Sequence, residues 1–194
     1  MKVDITFPLT RRSFELMEDL APKDKVLSRL DLFGHIGTHL DLMEKEYPEA
    51  NFSLSGRIFD VSSIRGRDIE AADIDIDQVR EGDFVIMHTG GLAAYGYGTK
   101  EYIFAPIQLS WNLLEALVAR KAALIGVDLA GVRLPAEHPK ADNMCAEAGT
   151  FIIENLYHLK TLNTEAKGKS FVVNTYPMRL EGSTGLPCRV VANI

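Results

Sequence analysis

Val3, Ile5 and Phe7 alternate with Lys2, Asp4 and Thr6, the two-residue period of a half-buried strand, and Pro8 ends the run. From Ser13 the period lengthens: Phe14, Met17 and Leu20 recur at helical spacing with acidic residues between them. This predicts one short amphipathic helix before Pro22, with its apolar face in the core. Two apolar runs bounded by turn residues, 56–61 and 83–89, predict buried strands, and the acid-rich stretch 68–77 between them reads as a solvated connection. The clearest helix follows Ser110, where Leu113, Leu114, Leu117 and Val118 fall on one face. Glu115 lies near its start and Arg120 and Lys121 at its end. Ser110 suits an N-cap and the basic pair suits the negative end of the helix dipole. The helix runs directly into ALIGVDLAG, a buried-strand pattern. A mixed segment follows at 142–156, and SFVVNTY and CRVVANI supply two last strands around the glycine-rich stretch 182–185. Helix and strand alternate, which predicts an α/β fold.

Composition narrows the function classes. The 194 residues show no repeat, low-complexity tract or linker, so a single domain over 1–194 is expected. Lys+Arg 21 against Asp+Glu 27 gives a net charge of −6, and no basic run exceeds Arg11-Arg12. Nucleic acid and anionic membranes are therefore not expected partners. The N-terminal stretch alternates where a signal peptide would be continuously apolar, and no apolar stretch nears the roughly 20 residues of a membrane span, so a cytoplasmic location is expected. Cys145 and Cys188 lack Cys-x-x-Cys spacing and read as packing thiols.

The chemistry concentrates in His35-Ile36-Gly37-Thr38-His39-Leu40-Asp41. In an extended chain His35, His39 and Asp41 project to one side, with Gly37 between them leaving room for an ion or substrate near the backbone. A helix would turn Asp41 away from the two imidazoles. Two imidazoles and a carboxylate suit Zn²⁺, Mn²⁺ or Fe²⁺, and three protein ligands leave positions open for water, as in catalytic sites. The plainer alternative is two histidines falling together on a polar strand face. His88, His138 and His158 have no such company and read as surface or hydrogen-bonded histidines.

HIGTHLD resembles the signature of the cyclase family of metal-dependent hydrolases, which includes bacterial kynurenine formamidases and isatin hydrolase. DITFPL, VREGDFVIMHTGG, LLEALVARKAALIGVDLAG, AGTFIIENL and GLPCRVVA resemble further family segments in the expected order. The resemblance implies a swivelling β/β/α fold, with strands enclosing the site and helices flanking it, assembled as a homodimer or homotetramer. It implies that His35, His39 and Asp41 hold a first metal ion. In two-metal members Asp41 would bridge to a second ion, held also by a histidine and by the glutamate that matches Glu154. Here the position twelve residues before Glu154 is Asp142, so the second site is expected to be altered, weaker and more dependent on oxygen-preferring ions. Otherwise Asp142 is a helix N-cap and Glu154 a buried hydrogen-bonding carboxylate.

A further departure follows Asp41. The family motif continues Asp-x-Pro-x-His, its last histidine moving the proton, whereas this chain reads Asp41-Leu42-Met43-Glu44-Lys45. Lys45 is either an oxyanion stabiliser or proton shuttle, or a solvated residue of the run Glu44-Lys45-Glu46. The function implied is metal-dependent hydrolysis of a small amide, lactam or formyl-amide, with a divalent ion, Zn²⁺ or Mn²⁺, as cofactor and Lys45 and Glu154 as catalytic candidates. Two alternatives stand beside it: a non-catalytic metal- or small-molecule-binding protein that has lost the acid–base group, and a metal-dependent lyase or cyclase.

Overall fold

The computed structural model describes the backbone of residues 1–20 and 29–194 and the side chains of residues 1–16 and 30–194. Eight strands form one sheet: β1 (Lys2–Asp4), β2 (His39–Asp41), β3 (Ser53–Asp60), β4 (Phe84–His88), β5 (Leu124–Val127), β6 (Phe151–Glu154), β7 (Phe171–Pro177) and β8 (Gly185–Asn193). Their order is β1-β8-β2-β6-β5-β4-β3-β7, and β7 also pairs with β8. Seven strands, β2 to β8, thus close into a barrel, and closure leaves no open edge among them; β1 lies outside the ring, paired with β8. Strand β8 makes closure possible by its length, pairing through 185–187 with β2, through 188–193 with β7 and through 191–193 with β1.

Strands β3 to β6 run parallel, and parallel neighbours need long crossovers. Helix α5 (Trp111–Ala119) lies between β4 and β5, and α6 (His138–Glu147) between β5 and β6. Shorter helices are α2 (Arg29–Gly34), α3 (Gly91–Tyr95), α4 (Lys100–Ile103) and α7 (Leu159–Ala166).

Strand alternation sorts the core into two. Leu40, Phe84, Ile86, Leu124, Ile153, Val173 and Val190 join one cluster, drawn from strands all round the barrel, so this face is the interior. The intervening residues Val85, Met87, Ile125, Val127 and Ile152 pack outward on Leu113, Leu114 and Leu117 of α5 and on Ala141 and Cys145 of α6. The α/β architecture with flanking helices is the one expected. The enclosed volume is apolar, however. His39 and Asp41 flank the inward Leu40, and Glu154 shares the outward face of Ile152, so these polar side chains lie on the wall beneath α6.

Several local expectations change. Strand β1 stops at Asp4, although Ile5 N–H still donates to the Val190 carbonyl at 3.0 Å. Helix α1 (Arg11–Leu20) starts before Ser13, and paired Thr10–Ser13 hydrogen bonds turn Ser13 inward. Phe14 is consequently 43% exposed rather than core, while the side chains of Met17 and Leu20, and Pro22 altogether, lie outside the described residues. The 68–77 connection is not wholly solvated, because Ile69 is buried and bridges to Leu109. Asp142 is not an N-cap: Glu137 holds that position, without a side-chain cap hydrogen bond, and Asp142 sits inside the helix. Ser110 does cap α5, its Oγ accepting the Leu113 N–H at 3.0 Å. Cys145 and Cys188 are free and buried. Among the described residues no helix is long and apolar enough to cross a membrane.

Candidate metal centre

The site is assembled from β2, β6, α6 and the turn that leaves α2. Antiparallel register sets His39 directly opposite Glu154, and His39 Nε2 lies 3.4 Å from both Glu154 Oε2 and Asp41 Oδ1. His35 is not on a strand. It follows the last turn of α2, its Nδ1 donates to the Asp31 carbonyl at 2.7 Å, and its Nε2 reaches to 3.5 Å from Asp41 Oδ1. His39 Nδ1 in turn donates to the Gly37 carbonyl at 3.0 Å. A backbone acceptor at each Nδ1 fixes the tautomer that leaves Nε2 with its lone pair, and both Nε2 atoms face Asp41.

The extended reading of 35–41 therefore holds only for 39–41. Gly37 has φ +64°, the left-handed region, and a Cβ there would lie 2.8 Å from the Leu9 side chain. Its missing side chain serves a turn covered by Leu9, not space for an ion. Space beside the imidazole comes from Gly185, where a Cβ would fall 2.6 Å from His35 Nε2.

A second group faces Asp41 from α6. His138 Nε2 lies 2.7 Å from Glu154 Oε1 and 3.0 Å from Asp142 Oδ2. One imidazole N–H cannot point at both oxygens, and Glu154 Oε1 has no hydrogen bond of good geometry. Asp41 Oδ2 and Asp142 Oδ1 likewise are buried without a donor among the described residues. Among the described residues the donor atoms thus form two compact sets that share Asp41. One is His35, His39 and Asp41; the other is Asp41, His138, Asp142 and Glu154, each with all donor atoms within 4.8 Å of one another.

These sets fit divalent cations. Three buried carboxylates in one place are costly without compensating positive charge. With ligand bonds of about 2.0–2.1 Å, neighbouring donors around a tetrahedral ion sit roughly 3.3 Å apart, close to the distances found here. Without a cation, protons take that place. Burial opposes a charged His39, but Asp41 and Glu154 override it and push the imidazole up to about 9. His138 is pushed up to about 12 against the same opposition, by Glu154 and Asp142. Burial, with Asp41 and Glu154 adding to it against His138, lifts Asp142 to about 7. Asp41 is held below the usual carboxylate range despite its burial, chiefly by His39.

The model of the Cyclase family, described as "Putative cyclase", matches residues 3–132, well over half of the chain. The chain belongs to the Cyclase family. This Cyclase-family chain has the fold of a solved structure described as a potential metal-dependent hydrolase with cyclase activity. The identity is 21%, with 99% of this chain and 96% of that one covered and a TM-score of 0.75. A predicted metal-dependent hydrolase from Bacillus stearothermophilus gives 20% identity, coverage of 99% and 97%, and a TM-score of 0.72. Isatin hydrolase A from Ralstonia solanacearum gives 16%, 99% and 91%, and 0.72. No curated protein matches the chain by sequence.

Of the residues singled out in the sequence, His35, His39, Asp41, Asp142 and Glu154 come together. Lys45 does not join them. It lies on the turn after β2 with an exposed side chain, and its ammonium makes no ion pair or hydrogen bond among the described residues. The sequence predicts a surface or hydrogen-bonded role for His138, whereas it stands in the second donor set. The signal was its position one helical turn before Asp142, which puts both on one face of α6.

Proposed function

We propose that this Cyclase-family chain is a metal-dependent hydrolase that opens the carbon–nitrogen bond of a small amide, lactam or formyl-amide at a centre for two divalent cations, Zn²⁺ or Mn²⁺. One observation carries the reading: Asp41 is shared between two donor sets, and Asp41, Asp142 and Glu154 each have one buried carboxylate oxygen with no hydrogen bond among the described residues. The fold shared with proteins described as metal-dependent hydrolases, and with isatin hydrolase A, supports it. When bound, such ions polarise a carbonyl and make a water nucleophilic near neutral pH.

The residues divide that work unequally. His35, His39 and Asp41 offer three donors, and the His35 side chain is 33% exposed, so this is the open side on which a substrate carbonyl fits. Asp41, His138, Asp142 and Glu154 offer four, which suits a closed and chiefly structural ion. On this reading the second site holds an imidazole from His138, one turn before Asp142, together with the Asp142 oxygen, and so need not be weak. Proton transfer falls to Glu154, which faces both donor sets, rather than to the exposed Lys45. Assembly as a homodimer or homotetramer and a cytoplasmic location belong to the same proposal.

The test is turnover of an N-formyl anilide, an isatin-like lactam and a cyclic imide by protein loaded with Zn²⁺ or Mn²⁺. At least one should be hydrolysed, with loss of activity on chelation and in His39→Ala, and with Lys45→Ala within about threefold of wild type. The exposure of Lys45 also favours a second reading, a non-catalytic metal-binding protein. Full metal occupancy without turnover of any of the three would select it.

A further inference from the structure

We propose that Tyr97 is a positioning residue for the His35–His39 metal ligands, acting through the backbone of Gly37; the inference rests on the metal-centre reading above. Gly37 is buried, and its N–H donates to the Tyr97 hydroxyl oxygen at 2.7 Å. No other acceptor serves that N–H among the described residues, and an unpaired buried amide is costly. The same residue's carbonyl takes the His39 Nδ1–H, so the conformation of Gly37 decides where the His39 ring points. That conformation is left-handed, and it is gripped from two sides, by the Leu9 side chain and by the Tyr97 hydroxyl.

Tyr97 is itself held firmly. Its ring stacks on Phe7 with centroids 4.3 Å apart and planes 27° from parallel, and it tilts against Tyr102 at 6.3 Å. Tyr102, nearly fully buried, donates its hydroxyl to Asn155 Oδ1 at 2.8 Å, and the Asn155 carbonyl accepts from Thr38 Oγ at 2.8 Å. Two tyrosines of the 91–104 segment therefore brace the chain on both sides of the site, at the residue before Thr38 and at the residue after Glu154. Burial raises the Tyr97 phenol to about 12, with the Gly37 N–H opposing and Glu154 adding to it, so the oxygen stays a neutral acceptor. Groups that orient first ligands in this way typically change metal affinity by about 10–100-fold when removed.

Tyr97→Phe deletes the hydroxyl and keeps the stacking ring. Tyr47→Phe is the matched control, because the Tyr47 hydroxyl also serves one backbone group, the Asn51 carbonyl at 2.8 Å, away from the donor sets. Zn²⁺ affinity is measured by competition with a chromogenic chelator, alongside the melting temperature of each metal-free protein. Tyr97→Phe should weaken one of the two ions by about 10–100-fold, with Tyr47→Phe within about threefold of wild type. Leu9→Ala, which loosens the other wall of Gly37, should weaken the same ion, and it decides the question if Tyr97→Phe does not fold. Wild-type affinity in the folded hydroxyl and Leu9 variants, or an equal loss in Tyr47→Phe, overturns the inference. A wild type that binds no ion overturns the metal-centre reading instead.

Discussion

Gly185 is glycine because His35 stands where its side chain would go. In Gly185→Ala the new Cβ would lie 2.6 Å from His35 Nε2, inside any tolerable contact, so the imidazole must swing away from Asp41. Zn²⁺ affinity measured by chelator competition should fall by about tenfold or more, as for loss of ligand positioning; unchanged affinity would show that His35 does not ligate. Such a relation is illegible in sequence, since Gly185 and His35 are 150 positions apart. His35, His39 and Asp41 were legible because three ligand-type side chains fall within seven residues. His138 was only half legible: its spacing to Asp142 is one helical turn, but Glu154, which completes the set, comes from another strand.

Helix α5 shows what local chemistry specifies well. Ser110 Oγ accepts the Leu113 N–H, satisfying one of the first-turn amides, and Leu113, Leu114 and Leu117 are fully buried. Ser110→Ala should lower unfolding free energy by about 1 kcal/mol in denaturant titration and leave metal affinity unchanged. A variant as stable as wild type would mean that the cap contributes nothing. The first helix departs from its expected packing for the complementary reason. A helix does form over Arg11–Leu20, but which face is buried depends on what packs against it, and the hydroxyl pair Thr10–Ser13 turns Ser13 inward while Phe14 faces solvent. The 35–41 segment was read as strand over its whole length because alternation cannot register the left-handed turn at Gly37.

Closure of the barrel joins β7 to β8 and β8 to β2, so residues near the C-terminus complete a wall begun at His39. Sequence patterns predicted most of these strands, but not which of them pair, since pairing is non-local. Folding thereby buries Asp41, Asp142 and Glu154 together, with consequences for stability against pH. In the cation-free protein His39 is pushed up to about 9 from 6.5, and Asp142 to about 7 from 3.8. Both values are raised, so the folded form holds more protons than the unfolded chain. The stability they contribute is complete below the unfolded values and is lost as pH rises, through about 7 for Asp142 and about 9 for His39. A bound cation requires unprotonated imidazoles and reverses the trend, because protons then compete with the metal. Denaturant midpoints from pH 5.5 to 9 should fall with pH in chelator-treated protein and should not fall in Zn²⁺-loaded protein; parallel curves would contradict this linkage.

The most direct measurement is metal content per chain, by elemental analysis after purification without added metal and again after reconstitution with Zn²⁺ or Mn²⁺ and removal of the excess. The shared Asp41 predicts two ions per reconstituted wild-type chain, one remaining in His138→Ala, and neither bound tightly in Asp41→Ala. A wild-type chain that holds no stoichiometric ion under any of these conditions, or a His138→Ala chain that still holds two, would contradict the two-ion centre.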